Sequence, residues 1–448
     1  MKHYITISVI AAAALASCTQ TEDFTSQYNE KAKTMKFDVA YVGKNTRAAT
    51  GELDTDGLAS QKLILWCDAY QTSANPTTGI WISSQEPLYL SKSDATTYWN
   101  VYSNSDASTE AEVRYPGSTY TTYFTAIAPQ DEFEAAPTSG ATASKATYSM
   151  AYQLSSENPS SSPSFSTRLL TLDNIPVVQE VSNTTNDLKG IDYLITCAKS
   201  TSEEVSLPFK HLLSKLRFAV WTDENTMATA GSETTKIELN YLKVYLPKSV
   251  TAKYVQTKHD DVAGTWSWPG YTAPTEDNPN LTDSYQEYTL YNEGSENPSP
   301  KDVKYFAGPT NAHESTNWDN VKLAPNFFIA PTGESTNVKI YIDIKYTVKR
   351  KMLDGTTWSS SSNSSDQGYH VGHKVVERHK MLVPINDSSN GHDNIDSDVD
   401  ADRNEGLSHF HQGYLETLYI CLRADQLVTF STDFEVDNWE NDPIDIKQ

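Results

Sequence analysis

Residues able to do chemistry are concentrated in a few stretches of this chain, and each stretch offers a different chemistry. Asp396, Asp398, Asp400 and Asp402 alternate in a short tract, a spacing that invites a calcium site. An EF-hand loop needs Gly at its sixth position and Glu at its twelfth. Counted from Asp396 the sixth residue is Ala401, and counted from Asp398 it is Arg403, so both registers fail. The tract reads as a solvated acidic loop, with a surface Ca2+ site of another kind as the alternative. His409 and His411 flank Phe410 and would set two imidazoles on one face of a strand, but no third ligand lies nearby in sequence. His373 and His379 fare no better. Trp266 and Trp268 lie two residues apart in the polar stretch 264–270. Exposed, they would stack on sugar faces; packed, they are ordinary core or loop aromatics. The catalytic signatures GxSxG, HExxH, GxGxxG and the P-loop are missing: His313-Glu314 lacks the second His, and Gly43-Lys44-Asn45 lacks the earlier Gly and the hydroxyl after Lys. The sequence therefore leads to no enzyme, no metal and no cofactor.

A different kind of site lies near the N-terminus. Phe37, Val39 and Tyr41 alternate with Asp38 and Ala40, the period of a short strand. A polar loop over 43–48 follows, with Arg47 ahead of Ala48. One reading is a first strand and a loop carrying a surface Arg. The other is a removable first strand with a trypsin-like scissile bond after Arg47, since exposed polar loop tips are where proteases cut. Losing such a strand would expose unpaired backbone groups and an apolar groove, which a strand of another chain fills by β-augmentation.

The elements that must position these residues are strands. The chain has 448 residues, 26 of them Tyr, and a net charge of −23 that argues against nucleic acid as a partner. Aromatics at 11% exclude global disorder, and Tyr, Thr and Val suit pleated surfaces. Val338, Ile340, Ile342, Ile344, Tyr346 and Val348 form one face of the clearest strand; Lys339, Asp343, Lys345 and Thr347 lie opposite, with Tyr341 among them. Val428, Phe430, Phe434 and Val436 alternate likewise, as do Leu418, Ile420 and Leu422, and Leu216, Phe218 and Val220. Ile191, Tyr193 and Ile195 make a weaker face. The run KLILWCDAY over 62–70 suits a strand covered on both faces. Residues 207–216 have room for a short helical turn. Polar stretches over 102–111, 135–168, 256–320 and 355–368 read as long surface loops, and EEVSLPF over 203–209 as a linker.

The first 17 residues read as a removable signal: Lys2 supplies the positive charge, and the apolar stretch over 5–16 is too short to span a bilayer. Ala14-Leu15-Ala16 would serve ordinary cleavage, while Leu15-Ala16-Ser17-Cys18 resembles a bacterial lipobox, with Cys18 acylated and holding the chain at a membrane. Gln20-Thr21-Glu22-Asp23 is similar to an acidic surface-export signal. Cys67, Cys197 and Cys421 then remain, an odd number that suits buried free thiols.

Taken in order, the lipobox at Cys18, FDVAYVGKNTRA, YFTAIAP (123–129), DYLI (192–195), FKHLLSKLRFAV (209–220), NFFIAP (326–331) before NVKIYIDIKYTV, Gly413-Tyr414 and VDNW (436–439) resemble a Bacteroidetes fimbrillin, a pilin of the type V class. The resemblance implies an all-β protein of two transthyretin-like antiparallel β-sandwich domains with long surface loops. It divides the chain into a signal (1–17), a lipidated propeptide with the removable strand Phe37, Val39 and Tyr41 (18–47), and domains over 48–205 and 206–448. It implies export as an outer-membrane lipoprotein to the cell surface, cleavage between Arg47 and Ala48 by an Arg-specific protease, and polymerisation with other fimbrial subunits by donor-strand exchange, serving adhesion. The candidate donor strand is thin: only Ile444 and Ile446 share a face, and Pro443 removes a ladder hydrogen bond. That points to a tip, accessory or anchor subunit as readily as to a stalk. The alternative is a non-polymerising surface lipoprotein that binds glycans through Trp266 and Trp268.

Overall fold

The computed structural model describes residues 33–41, 58–71, 79–81, 87–93, 96–137, 142–155, 165–181, 190–223, 235–248, 250–258, 260–274, 281, 284–294, 299–308, 311–312, 315–332, 338–350, 374–383, 410–424 and 428–436. Its elements are almost all strands, as expected. β1 (Lys36–Tyr41), β2 (Lys62–Gln71), β3 (Gly79–Trp81), β4 (Leu88–Ser91), β5 (Asn100–Tyr102) and β6 (Tyr120–Ala128) come first. β7 (Phe133–Ala135), β8 (Ala146–Ser155), β9 (Phe165–Pro176), β10 (Val178–Val181), β11 (Leu194–Ser200) and β12 (Glu204–His211) follow. Then come β13 (Ser214–Trp221), β14 (Thr235–Pro247), β15 (Thr251–Gln256), β16 (Gly264–Ser267), β17 (Tyr285–Asn292) and β18 (Lys301–Asp302). A one-turn helix, α1 (Trp318–Val321), precedes β19 (Lys322–Ile329), β20 (Tyr341–Arg350), β21 (Lys374–Leu382), β22 (Tyr414–Leu422) and β23 (Val428–Val436). No helix among the described residues is long and apolar enough to cross a membrane.

These strands build four sheets. The largest runs β1-β12-β11-β6-β2-β4-β5, with β3 on β2; the others run β16-β15-β9-β8-β7, β10-β19-β13-β22-β23 and β17-β14-β20-β21, with β18 on β14. β2 is covered on both faces, as its apolar run requires: Leu63, Leu65 and Cys67 enter one core cluster, Ile64 and Trp66 the other. The first cluster belongs to the β1 side of the large sheet. The second continues through Leu170 and Leu172 of β9 into the inner faces of β13, β14, β20 and β22. Val338, Ile340, Ile342, Ile344, Tyr346 and Val348 are all buried there. Tyr341, on the opposite face, is buried too, against Tyr285 and Tyr245.

Three expectations need correcting. The segment 203–209 is no linker, because Glu204 to His211 form β12, bonded to both β1 and β11. Residues 207–216 hold no helical turn; they run strand, bend, strand, with Leu212 and Leu213 buried at the bend. The polar stretch 135–168 contains β8 and the start of β9, and 256–320 contains β16 to β18. The expected division at 205/206 falls inside β12, and two sheets mix strands from both sides of it: β10 lies beside β19, and β15 beside β9.

Candidate functional site

The residues around β1 form a slot one strand wide. Period two governs its local structure: Met35, Phe37 and Val39 are buried while Lys36 and Asp38 are exposed. β1 runs parallel to β12, in a register from Lys36 beside Glu204 to Tyr41 beside Phe209. The slot's other wall is the chain over 99–115. There the Trp99 N–H donates to the Phe37 carbonyl at 3.0 Å, the Met35 N–H to the Val113 carbonyl at 2.8 Å, and the Tyr115 N–H to the Lys33 carbonyl at 2.9 Å. Both edges of β1 are thus engaged, and its removal would orphan groups on two walls.

The floor of the slot is apolar. Phe37 meets Phe124 edge to face with centroids 5.6 Å apart, and Val205, Leu207, Phe209, Trp99 and Val113 share its cluster. Burying Met35, Phe37 and Val39 contributes roughly 5 to 9 kcal/mol at about 1.5 to 3 per side chain, an upper figure since an unfolded chain already hides some surface. The rim is polar. Lys33 Nζ lies 3.0 Å from Glu203 Oε1, Tyr98 donates to Glu204 Oε1 at 3.1 Å, and Lys36 Nζ sits 5.3 Å above the Tyr98 ring. The hydrogen bond to the Glu204 carboxylate holds the Tyr98 phenol above its ordinary range. Exposed pairs of this kind are worth about 0 to 1 kcal/mol, so the inserted side chains, not the rim, hold the strand.

Phe37 and Val39 therefore lie together in this slot, with Tyr41 at the Phe209 register position. Cys18, Arg47, Ala48, Ile444 and Ile446, the acidic tract 396–402, His373 and His409 lie outside the described residues. Met35, Trp99 and Val113 were missed by sequence reasoning; Met35 shares the parity of Phe37, a signal that was available. Trp266 and Trp268 are not exposed: both are buried, Trp266 against Tyr254 at 5.3 Å, and the Trp268 indole N–H donates to the Pro331 carbonyl at 2.9 Å. β16 lies so close to Tyr254 that a Cβ on Gly264 would come within 2.1 Å of that ring. Cys67 and Cys421 are buried thiols, and Cys197 is a half-buried one that desolvation pushes up to about 12. A cleft of about 670 Å³ opens beside β10 and β17, and its polar lining includes Glu180, Lys248, Thr251 and Glu287 but no Ser, Cys or His.

No protein-family model and no curated protein matches the sequence. Solved structures do. One is a candidate cell adhesion protein from Bacteroides uniformis, 12% identical over 90% of this chain and 99% of its own, with a TM-score of 0.37. Another, from Bacteroides ovatus, is 10% identical over 91% of this chain and 98% of its own, with a TM-score of 0.39. A third candidate cell adhesion protein, from Parabacteroides distasonis, is 13% identical over 91% and 100%, with a TM-score of 0.31.

Proposed function

We propose that the chain is a fimbrillin-type surface subunit that matures by exchanging its first strand. One observation carries this reading: β1 with the preceding Met35 is a single strand-like segment with three apolar inserts, seated between β12 and the 99–115 segment, and its last residue lies six positions before Arg47. A cut between Arg47 and Ala48 would free the strand together with Cys18 and its lipid. The emptied slot would then take a strand from another subunit, whose backbone supplies affinity and whose alternate side chains supply fit. On this account the protein is exported as an outer-membrane lipoprotein, processed by an Arg-specific protease and built into fimbriae that serve adhesion, and it needs no catalysis and no cofactor of its own.

The glycan-binding alternative loses its basis in Trp266 and Trp268, since neither ring is open to a sugar. Incubating the full chain with an Arg-specific protease tests the reading. A product starting at Ala48 that forms SDS-resistant ladders supports it. Identical maturation and assembly in Arg47→Ala sinks it.

A further inference from the structure

Glu416 is an acid placed where the sequence pattern calls for an aliphatic residue. It shares the parity of Leu418, Ile420 and Leu422 on β22, and its side chain is fully buried. Its Oε1 accepts the Ser214 hydroxyl at 3.1 Å and the His411 backbone N–H at 3.2 Å. The Ser214 hydroxyl also lies 3.1 Å from the Tyr414 carbonyl, and its single proton serves one acceptor or the other. Glu416 Oε2 is buried and has no hydrogen-bond partner among the described residues. These contacts tie the head of β13 to the head of β22, beside the Gly413 N–H that donates to the Leu213 carbonyl at 3.0 Å.

The described groups around this carboxyl are short of charge. From β13 it meets Ser214, whereas Arg217 lies on the other face of that strand, stacked on Trp318, and Lys215 shares Arg217's parity. From the preceding turn come His411, whose ring tilts against Tyr414 at 5.2 Å, and Tyr414 itself. The β20 residues in the same core are Ile342, Ile344, Tyr346 and Val348. The Asp192–His211 pair, 2.8 Å apart, joins the segment just ahead of β11 to the end of β12, before the Leu212–Leu213 bend. Among the described residues an ionised carboxylate here would find no cation to answer it.

We propose that Glu416 is a proton-operated latch: neutral, it holds the head of β22 against β13, and losing its proton loosens that junction. Desolvation pushes its carboxyl up to about 8, with the His411 and Ser214 donors only partly offsetting it. Once the junction opens, the carboxyl meets water and titrates near its ordinary value of about 4.3. The latch is therefore fully engaged below about pH 4.3. Its opening constant rises about tenfold per pH unit from there to about pH 8 and levels off above. This inference is independent of strand replacement at β1.

Amide hydrogen exchange of the full chain between pH 5 and 9, corrected for intrinsic rates, tests it. Peptides over 411–422 should show an opening constant rising about tenfold per pH unit up to pH 8, while those over 341–350 stay flat. Glu416→Gln should abolish the slope. Ser214→Ala, which removes an offsetting donor, should extend the rise above pH 8. A flat wild-type profile overturns the latch, as does the wild-type slope persisting in Glu416→Gln. If Glu416→Gln does not fold, a rise in Ser214→Ala that ends at the same pH as in the wild type overturns it equally.

Discussion

β12 and β13 are consecutive strands separated only by Leu212 and Leu213, and each has a parallel partner: β1 beside β12, β22 beside β13. The two pairs are built from opposite materials. At β1 every inserted side chain is apolar and the charged residues stay on the rim. At β22 the buried face begins with a carboxyl, while the reverse side of β13 buries Lys215 and Arg217, the latter with its guanidinium 4.0 Å from the Trp318 ring. An apolar slot asks only for alternation and volume, so on the proposed reading its occupant is replaceable by a strand with the right pattern. A junction of buried polar groups tolerates one partner and responds to protons. On the proposed reading, the same segment carries a site for exchange and a site for permanence.

The contrast breaks most readily at β1. A chain starting at Ala48 should lose stability on the order of 5 to 9 kcal/mol, and a synthetic peptide of residues 33–41 should restore it in urea unfolding. An unchanged urea midpoint would mean the slot closes by itself. Phe37→Ala in the full chain should cost about 3 to 5 kcal/mol and, because no charge is involved, by the same amount at pH 5.5 and pH 8. Glu416→Gln should do the reverse, leaving acid stability nearly unchanged while removing a decline of about 1.4 kcal/mol per pH unit that the wild type shows between about pH 4.3 and pH 8. The sign follows from the raised carboxyl: the folded state keeps a proton that the unfolded state releases, so rising pH favours unfolding until about pH 8. Lys33→Ala, at the exposed rim pair with Glu203, should cost less than about 1 kcal/mol, checked by the same urea titrations. A larger cost there would show that the rim rather than the floor holds β1.

Much of this was legible in the sequence wherever one face is buried and the other is not. β1 and β20 follow period two, and the run over 62–70 belongs to a strand packed on both sides, as read. β12 was hidden because Glu203, Glu204 and Pro208 look like a linker; Pro208 is tolerated since β11 bonds only to Lys210 and His211, leaving that position to β1 alone. β17 was hidden because it is an edge strand with half its residues exposed, which blurs the alternation. The Trp266–Trp268 spacing gave the correct extended segment but not which way it faces, because burial comes from packing the spacing does not record: Tyr254 of β15 against Trp266, and the Pro331 carbonyl, far along the chain, on Trp268. Glu416 carried its signal openly, since extending the Leu418, Ile420, Leu422 parity by one step lands on it.

The replaceable strand is tested most directly by binding at the slot itself. A chain starting at Ala48 is titrated with a fluorescent peptide of residues 33–41 and with the same peptide carrying Phe37→Asp and Val39→Asp. The account predicts one bound peptide per chain for the first and none for the second. No binding of the first peptide, or equal binding of both, would contradict it.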